Sequence, residues 1–203
     1  MRALRIGLTG GLGAGKSLAL RALSGWGAAT IDADQIAREQ AAPGGPAYRR
    51  IVAAFGPSIV GRGGALDRAK LARLAFGSAR QRRKLEAIAH PLIVKELLRR
   101  LRAAKKGLVF AAVPLLFEAG LEEHFDLTMT IEAPASTRRR RARRRGLSEE
   151  EARSRMRAQL PDRERARRAD VALSNRGSRR RFVAALRSYY KGLELLRLGA
   201  AAR

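Results

Sequence analysis

Residues Gly10 to Ser17 read Gly-Gly-Leu-Gly-Ala-Gly-Lys-Ser, directly after the apolar run Leu4–Thr9. This is the pattern G-x-x-x-x-G-K-[ST] between a strand-like and a helix-like segment, the arrangement that holds a nucleotide's phosphates. Gly10, Gly11, Gly13 and Gly15 let the backbone curl so that several N–H groups point at one anion. The helix that follows adds its positive dipole end. Lys16 can reach the β- and γ-phosphates, and the Ser17 hydroxyl can ligate Mg²⁺.

Carboxylates come next. Asp32 and Asp34 follow the strand-like segment Ala28–Ile31, at the edge where ligands bind in open α/β sheets. A carboxylate there can accept a proton from an attacking hydroxyl, or serve only as a turn residue or helix cap. Pro114-Leu115-Leu116-Phe117-Glu118 follows the most apolar strand segment, Leu108–Val113, so it falls on the same edge. Ala112 and Val113 offer the metal no second carboxylate, which leaves water or the nucleotide to complete its shell.

These groups need elements to position them. Leu4–Thr9, Ala28–Ile31, Leu108–Val113, Leu127–Ile131 and Val171–Leu173 read as five short strands. Helical patterns separate them, so the fold class is α/β, a parallel sheet covered on both faces. Residues 46–104 are almost wholly helical. Asp67 is placed to cap one helix there, and His90-Pro91 is expected to interrupt another. Ser148 with Glu151 forms a capping box. A last helix, Arg179–Leu198, carries Phe182, Leu186, Tyr189, Leu193 and Leu196 at core spacing.

The 203 residues suit one well-cored domain. The sequence has no Cys, which excludes disulfides, thiolate metal sites and cysteine nucleophiles and suits a reducing cytosol. No apolar run approaches the roughly 18 residues of a membrane span, and no signal or transit peptide is read before the first strand, so a cytoplasmic location is expected. The formal charge is +25, and residues 138–181 hold 18 Arg against 6 acidic residues, an excess of 18 − 6 = 12. A composition drift toward Arg, Ala and Gly accounts for most of this charge. The run Arg138–Arg145 stands apart, because it lies where P-loop kinases carry a mobile lid. Arg141 and Arg145, four apart, are expected on one helical face, with planar forks suited to phosphate oxygens.

The sequence as a whole resembles the dephospho-coenzyme A kinase family. The resemblance is carried by Gly7–Ser17, Ile31-Asp32-Ala33-Asp34, Leu66-Asp67-Arg68, Leu85-Glu86 with His90-Pro91, Pro114–Glu118, Arg141 and Arg145 with Gly146-Leu147-Ser148, Gln159, and Ala169-Asp170 with Asn175, Gly177 and Ser178. It implies ATP and Mg²⁺ as cofactors and transfer of the γ-phosphoryl group to the ribose 3′-hydroxyl of dephospho-coenzyme A. It also implies a three-part P-loop kinase: a nucleotide-binding core (1–45, 105–135 and 169–203), a helical acceptor-binding part (46–104) and an Arg-rich lid (136–168). Lys16, Asp34, Arg141 and Arg145 take the catalytic roles. Gly11, Gly13, Ala14, Gly15, Lys16, Ser17, Leu18 and Asn175 bind the nucleotide, with Ser17 on the metal and Asn175 near adenine. Thr9, Asp34, Arg68, His90, Phe117 and Glu118 serve the acceptor; His90 could equally be a turn residue before Pro91. The family's usual Thr after the P-loop Ser is Leu18 here, and the Gln that often opens the lid helix is Arg138. Two rivals remain: a kinase for another small acceptor, and a nucleic-acid-stimulated P-loop ATPase. No membrane partner and no specific nucleic acid are expected, and nothing in the sequence sets the oligomeric state.

Overall fold

Five short apolar segments separated by helices close into one parallel sheet. The computed structural model describes residues 2–199, without the side chains at 68, 75–77 and 199. The strands are β1 (Leu4–Gly10), β2 (Ala29–Asp32), β3 (Leu108–Ala112), β4 (Leu127–Glu132) and β5 (Val171–Ser174). Their spatial order is β2-β3-β1-β4-β5, every neighbouring pair parallel. β1 is central, and the chain crosses from one side of it to the other, so the segment after β1 opens at a switch point of the sheet.

The chain divides into two compact units, residues up to 32 with those from 100 onward, and residues 33–99. In the first, β1 and β3 are buried almost throughout because helices cover both faces of a parallel sheet. Ile6, Leu8, Phe110, Met129 and Ile131 meet Leu20 and Leu23 of α1 (Lys16–Gly25) and Phe182, Leu186, Tyr190 and Leu193 of α9 (Arg179–Gly199). The α9 stripe departs from expectation at two places. Tyr190, not Tyr189, is the buried tyrosine, and its hydroxyl donates to the Trp26 carbonyl at 2.9 Å. Leu196 is 70 % exposed along with Leu195 and Leu198, because the last turns of α9 outrun the core.

The second unit contains α2 (Ala33–Gln40), α3 (Pro46–Phe55), α4 (Arg68–Gly77) and most of α5 (Ala79–Ala103). Ala47, Ile51, Ile59 and Leu66 form its small core. Asp67 caps α4 by accepting the Lys70 N–H at 2.9 Å, which holds its carboxyl below the usual range. The expected interruption at His90-Pro91 does not occur: α5 runs 25 residues with Pro91 inside it. Proline forgoes one hydrogen bond, at a cost of about 3 kcal/mol, but the turns on either side keep theirs. His90 is therefore an exposed residue of a helix interior, not a turn residue.

Within the first unit, the Arg-rich stretch forms α6 (Ala135–Arg143), α7 (Glu149–Arg157) and α8 (Asp162–Arg168). The capping box of Ser148 and Glu151 starts α7 as expected. α6 stops earlier than the spacing of Arg141 and Arg145 requires. The Arg145 N–H donates to the Ala142 carbonyl at 3.0 Å, and Gly146 takes a left-handed φ of 79°. Arg145 thus sits in the turn after the helix, and the shared helical face with Arg141 is corrected.

Candidate active site

The sheet presents its central strand's carboxyl end as a glycine loop. β1 ends at Gly10, α1 begins at Lys16, and Gly11–Gly15 turn between them. The Ala14 N–H donates to the Gly11 carbonyl at 3.0 Å, and the Leu18 and Ala19 N–H groups donate to the Gly15 carbonyl. The first turn of α1 contains no acidic side chain, so its positive dipole end is left for an anion. Ser17 and Leu18 lie half-buried in that turn. Lys16 Nζ donates to the Gly10 carbonyl at 2.6 Å and to Gly11 at 3.3 Å, so the ammonium is held over the loop.

Why glycine is needed here is visible at two positions. Gly13 has φ 76°, and a Cβ there would stand 2.7 Å from the Arg138 carbonyl oxygen. A Cβ on Gly11 would run into the Arg138 guanidinium. The loop is therefore packed tightly against α6.

The loop's own carbonyls face protein cations. Arg141 Nη1 donates to Gly13 at 3.0 Å and to Ala14 at 3.1 Å. Partial burial, then the charges of Arg140 and Arg145, lower the Arg141 pKa, yet a guanidinium stays protonated. Asn175, expected near adenine, is buried, and its Nδ2 donates to the Ala14 carbonyl at 2.6 Å. Its N–H donates to the Glu132 carbonyl at 2.6 Å, fixing the residue beyond β5.

The remaining expected residues are distributed as follows. Thr9 is fully buried in β1, its hydroxyl at the long limit, 3.5 Å, from the Pro114 carbonyl. Phe117 is buried after β3, with the Arg168 guanidinium 5.0 Å from its ring centre. Glu118 accepts the Leu160 N–H at 2.6 Å. Asp32 closes β2, paired with Ala112 of β3, and Asp34 is an exposed residue in the first turn of α2. Arg145 is exposed. The Arg68 side chain lies outside the described residues.

Three participants escaped the sequence reading or carried no role in it. Arg138 is only 6 % exposed; its Nε donates to the Ala133 carbonyl at 3.1 Å and its Nη2 to Asp162. Arg165, 1 % exposed, shares that carboxylate. Nearby, burial raises the Glu132 pKa, opposed by the Thr130 hydroxyl and Arg165. Gln159 Oε1 accepts the Leu12 N–H at 2.9 Å while its Nε2 donates to Pro114 at 3.1 Å. One signal was available. Ala142 is the sole non-Arg residue of 138–145 and is buried, which marks the inner face shared by Arg138 and Arg141.

Residues 4–180 match the model of the dephospho-CoA kinase family. This chain belongs to that family. Among similar proteins, a dephospho-CoA kinase of Corynebacterium glutamicum is 44 % identical over 179 residues, covering 86 % of this chain and 92 % of the relative. Another, of Moorella thermoacetica, is 44 % identical over 194 residues, covering 93 % and 92 %. A solved Thermus thermophilus structure superposes with a TM-score of 0.77 at 37 % identity, covering 95 % of this chain and 99 % of that one. Shikimate kinase from Acinetobacter baumannii, at 15 % identity and a TM-score of 0.53, covering 99 % and 96 %, shares the fold. The family is one of P-loop kinases that use ATP. No described helix is long and apolar enough to cross a membrane.

Proposed function

We propose that this chain transfers the γ-phosphoryl group of ATP to the ribose 3′-hydroxyl of dephospho-coenzyme A, giving coenzyme A and ADP, the last step of coenzyme A biosynthesis. The observation that carries the reading is the glycine loop at the switch point of the sheet, held from outside by Arg141, Asn175 and Gln159, in a member of this family. In the reaction the 3′-oxygen bonds to the γ-phosphorus, and the bond from that phosphorus to the β-phosphate oxygen breaks. The hydroxyl proton passes to Asp34.

Roles follow from chemistry and position. Gly11, Gly13, Ala14, Gly15, Lys16, Ser17 and Leu18 line the phosphate site, where the Ala14 and Leu18 N–H groups hold the Gly11 and Gly15 carbonyls and so shape the loop, and Lys16 neutralises charge on the transferring group. Arg145, exposed and outside α6, supplies a planar fork for that group, while Arg141 keeps the loop in shape. Asn175 fixes the loop where the nucleotide enters. Thr9, Arg68, His90, Phe117 and Glu118 serve the acceptor. Mg²⁺ would be held by the Ser17 hydroxyl in the first turn of α1, an oxygen donor of the kind this ion takes. Such an ion keeps water and phosphate oxygens as its other ligands. When bound it offsets charge developing on the β- and γ-oxygens. On this reading the enzyme works in the cytoplasm, with an acceptor-binding part over 46–104 and a lid within 136–168.

The test is an ADP-release assay across acceptors. Dephospho-coenzyme A should raise turnover far above that seen with nucleosides, shikimate, gluconate or nucleic acid. Equal turnover with another small acceptor would favour a kinase of different specificity, and stimulation by nucleic acid would favour an ATPase.

A further inference from the structure

Gln159 belongs to the connector between α7 and α8, yet its side chain reaches the glycine loop and the exit of β3 together. We propose that Gln159 is a positioning residue for phosphoryl transfer: its amide sets the outer edge of the phosphate-binding loop and ties that edge to Pro114. The proposal rests on the kinase reading above and names a residue that shapes the same site.

A phosphate grip works through donors already aimed before the ligand arrives. A loop this rich in glycine has little intrinsic shape, so the shape has to come from its surroundings. The amide of Gln159 supplies two kinds of contact at once. Its Oε1 accepts the Leu12 N–H at 2.9 Å, and its Nε2 donates to the Pro114 carbonyl at 3.1 Å, with the Gly10 carbonyl at 3.5 Å. A Glu of the same shape accepts but cannot donate, and it adds negative charge beside the phosphate site. An Asn lacks the methylene needed to span both partners.

Such a contact positions the loop only if the connector is itself fixed. It is. The Leu160 N–H donates to Glu118 at 2.6 Å, and the Leu160 carbonyl accepts Arg165 Nη1 at 2.8 Å. The Asp162 carboxylate accepts both Arg138 and Arg165, two nearly buried guanidiniums. Arg138 in turn packs on Gly11 and Gly13. Residues 159–162 therefore form a strap anchored to the β3 exit, α6 and α8.

The experiment uses the full chain with Gln159→Ala and Gln159→Glu. Binding of a non-hydrolysable ATP analogue is measured by calorimetry, the Michaelis constants for ATP and acceptor by steady-state kinetics, and the melting temperature alongside. Loss of two neutral hydrogen bonds predicts a rise of roughly ten-fold in the analogue's Kd and in the KM for ATP for Gln159→Ala. Gln159→Glu should be weaker still. The acceptor KM should stay at the wild-type value for both, and the melting temperature should fall only by the few degrees that two neutral hydrogen bonds contribute to stability. Unchanged analogue affinity in both variants would overturn the proposal. So would a rise in the acceptor KM together with the loss of affinity and a fall in melting temperature well beyond those few degrees in both, since that would make Gln159 a general packing residue. The analogue arm reads the strap even if the wild-type chain fails to phosphorylate dephospho-coenzyme A, which separates this failure from that of the kinase reading.

Discussion

Arg141→Ala should weaken ATP use about ten-fold or more, through the shape of the loop. In the native chain one guanidinium nitrogen serves two carbonyls, Gly13 at 3.0 Å and Ala14 at 3.1 Å. Hydrogen bonds from a charged group contribute roughly 1.5–3 kcal/mol each. The two share one nitrogen, so they count as one forked contact, and Arg141 is only partly buried, which favours the lower end. Ala14 keeps a second donor in Asn175 Nδ2 at 2.6 Å, so the loss falls mainly on Gly13. About 1.5 kcal/mol is near a ten-fold change, and about 3 kcal/mol is over a hundred-fold. Arg141→Lys keeps the charge but serves one carbonyl at a time, so roughly a three- to five-fold loss is expected from the smaller share of that contact. The assay is kcat/KM for ATP with calorimetric Kd for a non-hydrolysable analogue. Arg144→Ala, one turn of charge removed from an exposed position, should stay within two-fold. Arg141→Ala within two-fold of wild type, or an equal loss in Arg144→Ala, would refute the loop contact and leave bulk charge as the cause.

Other expectations follow from the same geometry. Asp34→Asn should lower turnover by about 10²–10⁴ with ATP-analogue affinity kept; collapse of that affinity would move the proton acceptor elsewhere. Ser17→Ala should raise the Mg²⁺ concentration needed for half-maximal rate several-fold, read from a Mg²⁺ titration at saturating ATP; an unchanged titration would remove Ser17 from the metal. Asp170 accepts the Thr128 hydroxyl and N–H, both at 2.7 Å, which lowers its pKa. Its contribution is therefore complete above the unfolded value near ~4 and is lost as pH falls through the lower folded value. Asp170→Asn should flatten the fall in stability below roughly pH 4, read from urea unfolding across pH; an identical acid slope would contradict this.

The parts legible in the sequence are those fixed by local chemistry. The glycine loop, the five strands and the Ser148 capping box each follow from residue types within a few positions of one another. The failures share a physical cause, in that tertiary contacts decide them. Pro91 signals a break, but a 25-residue helix carries it. Arg141 and Arg145 share a helical spacing, but the turn at Gly146 parts them. Arg138 resembles its six Arg neighbours in sequence, yet it is the one sealed against Asp162, a partner 24 residues away. Gln159 has no local pattern at all; its meaning lies in Leu12 and Pro114, which only the fold brings to it.

The central claim concerns where the phosphate goes. Incubation of the chain with ATP, Mg²⁺ and dephospho-coenzyme A, followed by phosphorus NMR and mass analysis of the product, tests it directly. A new monoester on the ribose 3′-oxygen, one per ADP released, with no product from the 3′-deoxy analogue, is the predicted result. ADP release without that monoester, or phosphorylation of the 3′-deoxy analogue, would contradict it.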